Sequence, residues 1–174
     1  KLFPSVVQSE IFNRYLARRG ALGLDRVLAG EVVRLEGRRA VFLVEDPAAE
    51  QPRLAAREIH LTGPMLGPKM RAAAGVPREL EVAVVAELGL GEPALATLGR
   101  LVDGTRRDLL LWPAEVAVEA APGARLIVRF SLPPGGYATQ VLRELVATPW
   151  GERGAAVAAT PTAAADDDDD TTLA

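Results

Sequence analysis

Tyr137 follows Pro133-Pro-Gly-Gly136 and precedes a run in which Ala138, Val141, Leu142, Leu145 and Val146 recur at helical spacing. The first backbone N–H groups of a helix have no intrahelical partner. An aromatic ring placed beside them could therefore stack on a nucleobase while the free donors meet a phosphate. The more usual occupant of such a position is a hydrophobic staple, with the ring packed on the turn. The pattern alone leaves both readings open. Arg143 lies further along the same run, and Arg106-Arg107 opens an apolar segment, Leu109 to Trp112.

Other chemistries find little support. The chain has no Cys, which excludes disulfides, thiolate metal sites and a thiol nucleophile. Its single His, His60, stands in a β-like segment with no Ser or Asp tied to it by a hydrolase motif, and reads as a structural or surface residue. The run Thr62-Gly-Pro-Met-Leu-Gly-Pro68 lacks the Gly-Lys-Ser/Thr ending of a phosphate-binding loop. Five consecutive aspartates, Asp166 to Asp170, do not converge on a cation without a fixed loop, so no metal site is expected.

The elements that must position Tyr137 are a strand and a helix. Leu126, Val128, Phe130 and Leu132 alternate with Arg125, Ile127, Arg129 and Ser131, which predicts a strand with one firmly buried face. Two prolines and two glycines then reverse the chain, and Pro149 ends the helix that follows. Upstream, Pro4 to Arg19 reads as a helix stopped by Gly20, with Phe12 in the core and Arg14, Arg18 and Arg19 as solvated cations at its end. Residues 30–36 and 40–45 form a hairpin turning at Gly37, Asp46 to Pro52 reads as a surface loop, and Arg57 to Leu61 as a short strand leading into a rigid loop at 62–68. Further helices are expected within Arg71–Leu90 and Pro93–Val102, and strands at Leu109–Trp112 and Ala114–Ala121, with a turn at Pro122-Gly123.

With 174 residues, 49% of them hydrophobic, the chain can bury one substantial core or two small ones. The formal charge is −3, and setting aside the five terminal aspartates leaves +2, so an RNA-binding face would have to come from local arginine clustering. No run of about eighteen apolar residues and no signal-peptide pattern are present, which makes the cytoplasm the default expectation, with no membrane partner. Beyond Trp150 the composition collapses to Ala, Thr, Pro and Asp, and a disordered tail over 151–174 is expected.

The run Phe130-Ser-Leu-Pro-Pro-Gly-Gly-Tyr-Ala-Thr-Gln-Val-Leu-Arg-Glu-Leu145 resembles the C-terminal signature of the D-type tRNA pseudouridine synthases, approximately F-x-L-P-x-G-S/G-F/Y-A-T-x-V/L-L/V-R-E-L. Gln8 to Leu16, Leu61-Thr-Gly-Pro-Met-Leu-Gly67 and Arg106 to Pro113 agree with the family in the same order, so the resemblance spans about residues 1 to 147. It implies an α+β fold: an inserted mixed α/β domain over about 1–118 and the C-terminal strand, turn and helix of a catalytic domain over 119–150. It implies an isomerase that turns a uridine of tRNA, at position 13 by family analogy, into pseudouridine, with tRNA as partner, no cofactor, and a monomeric chain. Tyr137 would stack on the target base, Arg143 would keep the catalytic carboxylate ionised, and Arg106 and Arg107 would contact phosphate. The family's aspartate motif, G-x-K-D-x-x-A-x-T, does not occur here. The chain opens with Lys1 rather than Met, and its first residues resemble the interior of the family sequence. The nucleophilic aspartate is therefore expected upstream of Lys1, and no catalytic residue is expected within this chain, which resembles the C-terminal part of a longer enzyme. The alternative is a non-catalytic RNA-binding or protein-interaction module on the same scaffold.

Overall fold

The computed structural model describes residues 2–146. Lys1, ahead of which the nucleophilic aspartate is expected, and the tail expected at 151–174 both lie outside them. The chain divides into two compact units, residues 1–112 and 113–174. The division falls ahead of the strand at 114–121, which pairs only within the second unit, whereas a boundary at residue 118 runs through that strand.

The first unit opens with helix α1, Leu2–Gly20. Strands β1 (Val32–Leu35) and β2 (Val41–Leu43) form the hairpin, whose turn needs the left-handed backbone that Gly37 adopts at φ +67°. Helix α2 (Pro47–Ala55) follows, then β3 (Ile59–Met65), helices α3 (Gly75–Glu87) and α4 (Glu92–Leu101), and β4 (Thr105–Asp108). The four strands make one antiparallel sheet in the order β2-β1-β3-β4. Helix α1 packs on β3 and against α3, and Ile11, Phe12, Tyr15, Val33, Ile59, Leu61, Val84 and Leu109 close the core. Burying each such side chain contributes roughly 1.5–3 kcal/mol before entropy is counted.

Three expectations are corrected. Residues 46–52 are not a loop: Asp46 caps α2, its carboxylate accepting from Ala48 N at 2.9 Å and Ala49 N at 3.4 Å, with Pro47 in the first turn. The Gly/Pro run at 62–68 is for the most part strand, because β4 pairs with Thr62 to Met65, and Pro64 is tolerated beyond the residues that β1 pairs with. Finally, the last strand of this sheet is Thr105–Asp108 and not Leu109–Trp112. After Leu109 N donates to Leu61 O at 2.9 Å the apolar run leaves the sheet.

The glycines of Leu61-Thr-Gly-Pro-Met-Leu-Gly67 serve packing. A Cβ on Gly63 would lie 2.9 Å from the Phe12 ring and from Leu109, and one on Gly67 would lie 2.3 Å from Gly104 N. At Gly67 the obstacle is backbone, which cannot swing aside. Gly67→Ala is therefore expected to destabilise the chain by about 1–3 kcal/mol, read as a lower midpoint in thermal unfolding followed by circular dichroism. Gly20→Ala, whose added methyl meets nothing within 4 Å, should stay near the native midpoint.

In the second unit β5 (Ala114–Ala121) and β6 (Arg125–Ser131) form an antiparallel pair with an irregularity near Glu115, and helix α5 (Ala138–Val146) follows. The strand, turn and helix occur as read from the sequence. The firmly buried face of β6 does not: Leu126 is 71% exposed, and Val128, Phe130 and Leu132 are only half-buried. Two strands and one helix present too little surface to cover a sheet face.

Candidate functional site

The turn that presents Tyr137 has a definite geometry. Gly136 N donates to Pro133 O at 3.0 Å, Pro134 supplies its fixed φ, and Gly135 sits at φ +87°. This is the type II arrangement, which requires a residue tolerant of positive φ in third place. Gln140 N then donates to Tyr137 O at 2.9 Å, so Tyr137 stands immediately before α5. Its side chain is 68% exposed. A staple packed on the turn would be covered, so the structure leaves the ring available to a ligand. Arg143 is exposed in the last turn of α5, about 9 Å further along the axis at 1.5 Å per residue.

Arg106 and Arg107 belong to the first unit and are adjacent on β4, so they point to opposite sides of the sheet. Only one of them faces solvent. Arg106, expected with its neighbour to contact phosphate, has a side chain 2% exposed; its Nη1 donates to Glu81 at 2.6 Å and its Nε to Arg71 O at 2.8 Å. Glu81 is 1% exposed and also accepts from Arg78 at 3.2 Å. Buried charge survives only when paired in this way, which removes Arg106 from the surface. Arg107 is exposed and lies opposite Gly63, its guanidinium 5.0 Å above the Phe12 ring. The missing Cβ of Gly63 admits that ring, and the ring holds the cation in place.

A second buried pair escaped the sequence reading. Arg19, expected to be a solvated helix-end cation, is fully buried against Glu31: Nε donates to Oε1 at 2.6 Å, while Nη1 reaches Gly23 O at 2.6 Å. Arg14 and Arg18 do lie at the surface, paired with Glu10 and Glu87. Between the two buried pairs sits Tyr15. Burial pushes its hydroxyl well above the usual tyrosine range, the negative charges of Glu31 and Glu81 add to this, and Arg106 and Arg19 oppose it. Tyr15 is therefore a protonated core residue. His60 is half-buried with its Nε2 against the Glu36 carboxylate, in keeping with a structural role.

The structure thus sets Tyr137 at the head of the helix that carries Arg143 and separates Arg107 from Arg106 by the thickness of a sheet. The aspartate motif expected of the family does not occur in these residues, and Lys1 lies outside the described residues, so the geometry here concerns the candidate binding side chains alone. The comparisons with known proteins bear on what these residues serve. A family model described as tRNA pseudouridine synthase D (TruD) matches residues 1–145. A tRNA pseudouridine synthase D from Geotalea daltonii is 42% identical over 147 residues, covering 84% of this chain and 36% of the relative. One from Thermus thermophilus is 41% identical over 141 residues, covering 80% of this chain and 38% of the relative. A Methanosarcina mazei crystal structure assigned to the same synthase is similar over 81% of this chain and 36% of that one, with a TM-score of 0.63 and 29% identity. The chain therefore spans somewhat more than a third of the length of these relatives. With the family model matched over most of its residues, this chain belongs to the tRNA pseudouridine synthase D (TruD) family.

Proposed function

We propose that this chain contributes the inserted domain and the C-terminal strand, turn and helix of a cytoplasmic enzyme that converts a uridine of tRNA into pseudouridine. The observation that carries the reading is the exposed ring of Tyr137, set at the head of α5 by a type II turn inside the family signature. In the reaction the N-glycosidic bond of the target nucleotide breaks, the uracil turns while held, and C5 forms the new bond to C1′ as its proton is lost and N1 gains one. The base must leave the helical stack to reach the enzyme, and a flat aromatic surface repays part of that cost.

In this reading Tyr137 stacks on the target base. Arg143 stands near the catalytic carboxylate and holds it ionised, that carboxylate belonging to an aspartate upstream of Lys1. Arg107, exposed and steadied by Phe12, contacts phosphate. Arg106 does not touch RNA; it ties β4 to α3 through Glu81 and so positions Arg107. The open apolar faces of β5 and β6, with Leu126, Val116 and Val118 the most exposed, are covered by the remainder of the catalytic domain.

The test is conversion of uridine to pseudouridine in a tRNA transcript by the complete gene product and its Tyr137→Ala variant. Loss of a stacking partner of roughly 1–3 kcal/mol predicts about a ten- to hundredfold fall in kcat/KM. Native rates in the variant would remove Tyr137 from the site. A complete protein that binds tRNA but leaves every uridine unchanged would replace the enzyme by a non-catalytic RNA-binding module.

A further inference from the structure

A cleft of about 510 Å³ opens in the first unit beside the sheet, with Leu54 of α2, Leu61 of β3 and Leu110 among its apolar lining residues, and Arg57, Trp112 and Asp25 supplying the ring and the charges. Its size lies within the range of small-molecule pockets, roughly 300–1,000 Å³. The apolar run expected to be a strand explains the cleft: Leu110 and Trp112 have left the sheet and line this space instead.

Arg57 is the informative residue. Its guanidinium carbon lies 4.1 Å from the centre of the Trp112 ring, while Trp112 remains 46% exposed. The backbone of Arg57 stands at φ +60°, just past the end of α2, with its N–H donating to Leu54 O at 3.0 Å. Helices commonly end on such a left-handed residue, and glycine is the usual occupant because any Cβ is strained there. The sequence places an arginine where glycine would be more stable. Non-glycine residues in this conformation concentrate at binding sites.

We propose that this cleft binds an unstacked nucleobase of the RNA substrate, distinct from the target uridine, with the base lying on the Arg57–Trp112 platform. The inference rests on the RNA-modifying function proposed above. A planar cation on an indole offers a π surface that any base can use, the guanidinium edge is available to a backbone phosphate, and the Asp25 carboxylate can accept from a base N–H. An apolar protein side chain would use the leucines but would leave Arg57 without a reason for its strained position.

The experiment is fluorescence anisotropy of a labelled single-stranded oligouridylate titrated with the 174-residue chain and with Arg57→Gly, Trp112→Leu and Arg107→Ala. Glycine accepts φ +60° without strain, so Arg57→Gly should melt at or above the native temperature and yet bind about tenfold more weakly. Trp112→Leu should show a similar loss. Native affinity in both variants, with Arg107→Ala weakened, would overturn the cleft as a base site and leave the RNA-binding reading intact. No binding by the native chain would overturn the cleft as a base site, while conversion of tRNA by the complete gene product still decides the function proposed above. A competition arm with free uridine monophosphate separates the sources: monophosphate that binds and quenches Trp112 while oligouridylate does not bind would overturn an RNA ligand in favour of a free nucleotide.

Discussion

Arg19→Met is expected to destabilise the first unit by about 3–5 kcal/mol, the usual cost of removing one partner from a buried ion pair. Methionine keeps the stem only as far as the Nε position, so the loss comes from the charge, the hydrogen bonds and the volume of the missing guanidinium. In the native chain Arg19 is 0% exposed and Glu31 is 1% exposed. The guanidinium donates to both Glu31 oxygens, at 2.6 and 3.2 Å, and to the carbonyls of Gly23 and Arg26. Glu31 Oε2 accepts in addition from Leu28 N at 2.7 Å. The pair thus closes residues 21–31 onto the end of α1 and fixes the start of β1. With methionine at position 19 the Glu31 carboxylate keeps a single backbone donor and must either protonate or drag the loop open to water. Total stability of a domain is about 5–15 kcal/mol, so the variant should unfold at much lower urea, as followed by circular dichroism. Glu31→Gln, which retains acceptor and shape, should lose less. A change under about 1 kcal/mol for Arg19→Met would mean that the loop is held by its apolar contacts, Val27 above all.

The burial of Arg19 was legible in the sequence by spacing and concealed by residue type. Pro4, Gln8, Ile11, Phe12, Tyr15 and Arg19 are the buried positions among the described residues of α1, and their intervals of three and four trace one helix face. An arginine is a poor prior for the core, and a helix end is a good prior for a solvated cation, so the type outweighed the position. Glu81 repeats the case: with Pro77 and Val84 it makes the buried stripe of α3, four and three residues apart. What reveals both is the partner, at distances along the chain of 12 and 25 residues that no local pattern connects. The cap of α2 was legible in full, Asp46 followed by Pro47, and was overridden by Pro52, which α2 carries in its interior. The turn at Pro133 to Gly136 needed no tertiary information, because its geometry is set by the residues themselves. The face of β6 is the opposite situation. Its alternation records a buried strand, and the surface that would bury it is not supplied by β5 and α5.

Glu81→Ala should lower stability by a similar 3–5 kcal/mol, and here a second substitution decides the cause. Alanine leaves the Arg106 guanidinium buried with Nε on Arg71 O and nothing for Nη1; Nη2 already has no hydrogen-bond partner. A buried cation so placed costs more than the pair ever contributed. Arg106→Met alone abandons Glu81 in the same way, apart from its longer bond to Arg78 at 3.2 Å. Combining the two, as Glu81→Leu with Arg106→Met, removes both charges and fills much of their volume with apolar atoms. Buried pairs replaced in this manner have often proved neutral or stabilising. The double variant should therefore recover most of the loss, with a coupling of at least about 2 kcal/mol in a double-mutant cycle of Glu81→Leu, Arg106→Met and their combination, measured by urea unfolding. Losses that simply add would show that Glu81 and Arg106 act through separate contacts. The distinction reaches the surface proposed to meet RNA, since Arg107 follows Arg106 directly on β4. If the pair serves only to hold that strand against α3, the double variant should keep native affinity for oligouridylate once folded, and loss of affinity despite full recovery of stability would give Arg106 a direct part in binding.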